Sequence, residues 1–222
     1  MLVIALLDRE HLDNGPFLKS LSVALSQLGD VRVLFIHADS EYTDRVMQLG
    51  VMREEALIRS TRELNRRLSS LFSDEGSACV GLNGYQRDTL MLNEGALIVD
   101  SDYLREILAH SHIVLSNMVA DRDNGSTAYI TPARLAATLA NALKPDLLIV
   151  FSTRESGGPN VDQGNWNNDE TITPSDERIT GLIPAEMRDS EVGYLLAGLR
   201  QFAALPDVSG MLKIKIEGLK SH

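Results

Sequence analysis

The chain alternates short apolar runs with amphipathic stretches. LVIALL (2–7) is apolar throughout, as a strand buried on both faces is. From Pro16 to Leu28 the residues Phe17, Leu21, Leu25 and Leu28 recur at helical spacing, and Gly29-Asp30 ends the pattern. VRVLFI (31–36) predicts a second strand. Glu41–Leu49 predicts a helix stopped by Gly50. The longest helical pattern is Arg53–Phe72, with Ala56, Leu57, Leu64, Leu68, Leu71 and Phe72 on one side. Its other face carries Arg59, Arg62, Glu63, Arg66 and Arg67, which suits solvent, a dimer seam or an anion-facing edge.

SACVGL (77–82) predicts a third strand. TLML (89–92) and ALIVD (96–100), joined by Asn93-Glu94-Gly95, read as a hairpin. Ser101 is placed to cap a helix running to about Ala109. HIVLSNMV (112–119) predicts a strand, and DRDNG (121–125) a tight turn in which Asn-Gly takes the positive φ angles. Thr131-Pro132 starts a helix with Leu135, Leu139 and Leu143 in one stripe. LLIVF (147–151) suits a central parallel strand. Residues 152–173 predict a long polar loop. A helix restarts at Thr173-Pro174, a last helical pattern covers 188–203, and MLKIKI (211–216) reads as a final strand. Neither repeats nor a linker interrupt this order. It predicts one domain over 1–222, an α/β fold: a three-layer αβα sandwich with a mainly parallel sheet.

Charge narrows the partners. The 222 residues carry a net charge of −10, so nucleic acid and anionic membranes are poor partners, and a bound phosphate needs local positive charge. The single cysteine, Cys79, excludes an internal disulfide and reads as a buried, inert thiol. No stretch approaches the length of a membrane-spanning helix, and a cytoplasmic location is expected. Candidate chemistry is sparse. His11, His37, His110 and His112 form no metal-ligand spacing, and no Gly-x-Ser-x-Gly occurs. SGGPN (156–160) has no strand leading straight into it, and Trp166 stands alone in a polar loop. The best-placed polar residues are His37, Asp39, Ser40, Ser116 and Asn117. They follow apolar strands, where ligands of open α/β sheets bind.

Two stretches carry a resemblance: ELNRRLSSLFSDEGSACVGLNGYQRD (63–88) and YLREILAHSHIVLSNMVADRDNGSTAYITPARLAATLANALKPDLLIVFS (103–152). In order they resemble the framework of the amino acid kinase family, most closely its N-acetylglutamate kinase branch. The family's chemical motifs are degenerate here. Its first-strand Lys-x-Gly-Gly meets Ala5, Leu7 and Asp8, and its His-Gly-Gly-Gly meets His37-Ala38-Asp39-Ser40. Its Asn-x-Asn-Ala-Asp ends at Ala133, and its late Lys meets Ser190. Phosphoryl transfer rests on positioning and charge neutralisation, so losing glycines and lysines while gaining carboxylates removes both. The resemblance therefore implies a catalytically impaired protein without cofactor that binds a small molecule such as an amino acid derivative, or serves as a partner subunit. The alternative is a divergent kinase using ATP and Mg on an N-acyl amino acid, with Arg154 or Arg188 replacing the lysines. The expected ligand contacts are His37, Asp39, Ser40, Asn117 and Arg154. The long helix Arg53–Phe72 is expected to join two copies as a homodimer.

Overall fold

The computed structural model of the chain describes residues 1–151, 194–197 and 199–207. Arg154, Trp166, Arg188, Ser190, the loop 152–173, the helix start at Thr173 and the strand 211–216 lie outside the described residues.

Strand β1 (Leu2–Leu7) leads into a short helix, α1 (Arg9–Leu12), that the apolar pattern does not announce. Helix α2 (Gly15–Ser26) follows, capped by Asn14, whose side chain accepts from Phe17 N–H. Next come β2 (Arg32–His37), α3 (Glu41–Gln48), α4 (Arg53–Asp74) and β3 (Cys79–Asn83). The hairpin β4 (Leu90–Asn93) and β5 (Ala96–Val99) turns through Glu94 and Gly95, both at positive φ. Then follow α5 (Ser101–Leu108), β6 (His112–Ser116), β7 (Met118–Asp121), β8 (Ser126–Tyr129), α6 (Pro132–Leu143) and β9 (Leu147–Phe151). Strand β10 (Tyr194–Ala197) and helix α7 (Leu199–Ala203) complete the described residues.

Six strands form one sheet in the order β10-β9-β1-β2-β6-β3, and every pair is parallel. Alternation divides the side chains of β1 between two cores. Val3, Ala5 and Leu7 meet Leu21 and Leu25 of α2, Leu68 and Phe72 of α4, and Phe202 of α7. Ile4 and Leu6 meet Leu104 of α5 and Leu135 and Leu139 of α6 on the other face. This is the expected three-layer sandwich. Alanines 133, 136 and 140 of α6 are buried and let the helix lie close on the sheet. A second sheet, β5-β4-β7-β8, sits beside it, with antiparallel pairs at its edges and a parallel pair in its middle.

Four expectations change. The predicted strand 112–119 breaks at Asn117, where the chain passes from the large sheet to the small one. Asn117 still donates its N–H to the His37 carbonyl at 3.0 Å, but its own carbonyl accepts from Ile130, beyond β8. The helical pattern 188–203 contains β10, because the open edge of β9 offers a ladder that a short apolar run fills. Asp100, not Ser101, caps α5, accepting from Tyr103 N–H at 3.0 Å. In the β7–β8 turn only Gly125 takes positive φ, while the Asp121 carboxylate accepts from the N–H groups of Asp123 and Asn124. The Cys79 thiol is half-buried, and burial pushes its pKa up to about 12, so it remains a protonated thiol.

Two glycines are dictated by close approach. A Cβ on Gly84 would fall on the Met118 carbonyl oxygen, where the loop after β3 presses against β7. A Cβ on Gly81 would fall on the Asn65 side chain of α4. Both places lie under the wall of the candidate site.

Candidate functional site at the carboxyl ends of β2 and β6

The parallel strands of the large sheet point their carboxyl ends to one mouth. The residues after β2 and β6 line it, together with β8, the loop after β3 and the first turns of α4. Helix N-termini there carry N–H groups with no intrahelical partner, which ordinarily suit an anion. In this chain those of α1, α3 and α6 are already engaged, whereas α4 starts at Met52 without a side-chain cap. At α3, the Ser40 hydroxyl accepts from Tyr42 N–H at 3.3 Å, and the Ser40 carbonyl from Thr43 N–H at 3.0 Å. Glu41 N–H, the first of the helix, donates to the Asp13 carboxylate at 2.7 Å. A carboxylate from the α1–α2 connection thus occupies the spot where an anionic ligand would dock. Arg9 holds the arrangement, pairing with Asp44 and donating to the Ser40 carbonyl. At α1 the Asp8 side chain accepts from His11 N–H, and at α6 the Thr131 hydroxyl from Arg134 N–H.

His37, expected as a ligand contact, is 0% exposed. Its Nδ1–H donates to the Ala38 carbonyl at 2.9 Å, since a carbonyl only accepts. Its Nε2 accepts from Asn65 Nδ2 at 3.1 Å. Burial pulls its pKa down to about 4, opposed by the Ala38 hydrogen bond, so the ring is neutral. The same Asn65 amide lies 3.0 Å from both the Leu82 and the Val114 carbonyls, tying α4 to β3 and β6. Ser40 is 3% exposed, its hydroxyl turned to the helix. His37 and Ser40 therefore shape the wall from behind.

Asp39 and Asn117 are placed differently. Asp39 is half-buried at the mouth. Asn117 is 6% exposed and donates Nδ2–H to the Ile130 carbonyl at 2.8 Å, leaving Oδ1 without a partner. Ser116, beside it, donates to Asn83 Oδ1 at 3.2 Å. Tyr85, Tyr129 and Glu54, which sequence reasoning did not single out, join them, as does Arg62 from the basic face of α4. The Tyr129 hydroxyl is buried without a partner. Its pKa rises to about 12, through burial first and then through the charges of Glu54 and Asp39. Arg62 donates Nε–H to the Tyr85 hydroxyl at 2.7 Å and lies over that ring at 5.3 Å. Around the Tyr129 hydroxyl, among the described residues, gather the Asp39 and Glu54 carboxylates, Tyr85 and the Arg62 guanidinium, with Asn117 bonded to the adjoining Ile130. Among the described residues, no three of His, Cys, Asp and Glu group as a metal site.

No family model matches the chain, and no curated protein does. Solved structures do. N-acetylglutamate synthase from Neisseria gonorrhoeae, complexed with coenzyme A and N-acetyl-glutamate, superposes at TM-score 0.52 and 20% identity, over 70% of this chain and 42% of that one. Aspartate kinase from Synechocystis gives TM-score 0.55 and 15% identity, over 68% and 28%. Isopentenyl phosphate kinase gives TM-score 0.59 and 13% identity, over 98% and 97%. The chain therefore spans less than half of the first two and nearly all of the third. These likenesses establish the fold: a mainly parallel α/β sandwich of the amino-acid-kinase kind. Among the described residues, no helix is long and apolar enough to cross a membrane.

Proposed function

We propose that this chain is a catalytically impaired protein of amino-acid-kinase fold that binds a small molecule at the carboxyl ends of β2 and β6. One observation carries the reading: the Asp13 carboxylate already holds the first N–H of α3. A triphosphate entering there must expel that carboxylate and then face Asp8, Asp39 and Glu41. Coulomb repulsion opposes it at every step, and the glycines and lysines that offset such charge in kinases are replaced. Asp39 and Asn117 are the proposed contacts, with His37 and Ser40 positioning them. An amino acid derivative or another small polar molecule suits this wall better than a nucleotide.

The test is a coupled assay with ATP–Mg and N-acetylglutamate, in which no phosphorylation is expected. Turnover at an ordinary enzymatic rate, on the order of 1–10³ s⁻¹, overturns the reading.

A homodimer through α4 belongs to the same proposal. The helix spends Ala56, Leu64, Leu68 and Phe72 on its own sheet. Leu71 packs against the same core, while Leu57 and Ile58 remain half-buried and Met52 before the helix is 76% exposed. Light scattering is expected to give twice the 24.4 kDa chain mass, and a monomer at micromolar concentration removes the dimer.

A further inference from the structure

Two side-chain oxygens without hydrogen-bond partners, Asn117 Oδ1 and the Tyr129 hydroxyl, sit on segments that meet at the mouth. Asn117 Oδ1 is an amide oxygen of a side chain that is 6% exposed, and it has no donor. Its place is fixed on two sides. Asn117 N–H is bonded to the His37 carbonyl, two residues before Asp39. Its carbonyl and its Nδ2 are both bonded to Ile130, the residue after Tyr129. The amide therefore bridges the segment that carries Asp39 to the segment that carries Tyr129. The Tyr129 hydroxyl lies in the electrostatic field of Asp39, Glu54, Arg62 and Tyr85, and its oxygen also lacks a partner. Arg62 is the one cation among these neighbours, and its Nε–H is committed to Tyr85.

A buried acceptor without a donor costs about 1–3 kcal/mol, a cost that a fitting ligand relieves. A group that answers Asn117 Oδ1 must donate a hydrogen bond, and beside two carboxylates it gains by carrying positive charge. A phosphate or a carboxylate brings only acceptors and fits badly. An ammonium or guanidinium brings only donors. We infer that the mouth binds the cationic head of a small organic amine, with Asn117 Oδ1 and the Asp39 carboxylate as its direct acceptors and Glu54 as a supporting charge. The Tyr85 and Tyr129 rings supply aromatic surface on which such a head or its alkyl stem rests. The net charge of −10 favours the encounter from a distance. This inference rests on the proposed cleft and deepens it by naming the chemistry of its ligand.

The test titrates the full chain with butylammonium, butylguanidinium and neutral butanol, following the side-chain amide signal of Asn117 by NMR. Saturable shifts with one or both cations and none with butanol are expected, and the stronger cation identifies the head. In Asp39→Asn the affinity should fall about tenfold, and in Glu54→Gln by less. Glu106→Gln, an exposed change on α5, controls for diffuse attraction and should leave binding unaltered. Absence of saturable shifts in the folded wild type overturns the inference. So does equal binding by wild type and Asp39→Asn, or an equal loss in Glu106→Gln. ATP turnover is measured on the same samples. Amine binding with turnover sinks only the impaired-kinase reading, and neither binding nor turnover sinks only this inference.

Discussion

Acidification will destabilise this protein well before its carboxylates titrate. Urea unfolding is expected to give level stability above pH 6.5 and a steady decline from there toward pH 4. Two histidines produce it. His37 and His112 both have pKa values pulled from 6.5 down to about 4, His37 by burial and His112 by burial and then by the Arg32 charge. Above pH 6.5 both rings are neutral in the folded and unfolded chains, so their contribution is fully present. Between 6.5 and 4 the unfolded chain takes up protons that the folded chain refuses, and stability falls with pH. Each histidine accounts for on the order of 3 kcal/mol by pH 4, against a total that is typically about 5–15 kcal/mol.

The geometry explains why neither ring adapts. His112 Nδ1 accepts from Val33 N–H at 3.1 Å, at the start of β2, and a protonated Nδ1 cannot accept. His37 sits at the end of the same strand with Nε2 in the same position toward Asn65. Charging them loosens β2 at both ends, in the middle of the parallel sheet. His112→Asn should flatten part of the decline. A stability curve that stays level from pH 7 to 4.5 contradicts the account.

Much of the frame was legible because burial on both faces writes itself as unbroken apolar runs, as in 2–7, 31–36 and 147–151. The order of those runs around amphipathic stretches sufficed for a parallel sandwich. Strand β10 was not legible, because YLLA is too short for its period to decide between helix and strand, and the ladder it joins lies far away in the chain. The break at Asn117 was hidden for a related reason. Its cause is a bond to Ile130, and the apolar pattern runs on past it.

The mouth itself was legible from strand polarity, and Asp39 and Asn117 stand there. The roles of its residues were not. A histidine at the end of an apolar strand reads alike whether it faces a ligand or a buried amide. Asn65, the amide that claims His37, is 28 residues away. Asp13 likewise meets Glu41 across 28 residues, and no local rule foretells a carboxylate seated on another helix. Tyr85, Tyr129 and Glu54 lie far apart in the chain, in the loop after β3, in β8 and at the start of α4, and only the fold makes them neighbours.

Asn65→Leu is expected to be among the most damaging single changes, and its pH dependence will show why. The Asn65 amide faces three acceptors: His37 Nε2, the Leu82 carbonyl and the Val114 carbonyl. Leucine leaves them without that donor in a site 3% exposed, at about 1–3 kcal/mol for each acceptor stranded. It also places a branched end against Gly81, which has no room for so much as a Cβ. The amide has two N–H groups for these three acceptors, so a total loss of at least about 2 kcal/mol at pH 7 follows. The informative readout is the slope below pH 6.5. In the wild type the Asn65 N–H points at His37 Nε2 and forbids a proton there. With leucine the constraint is gone, and an imidazolium Nε2–H can donate to the stranded carbonyls. The folded-state pKa of His37 then rises only by the part that this constraint contributed, because burial, the main cause of its low value, stays in place, and its share of the acid decline shrinks by that part. The variant should therefore be much weaker at pH 7 and lose less on acidification. If Asn65 merely fills space, the two curves run parallel, displaced by the same amount at every pH, and the amide has no hold on the histidine.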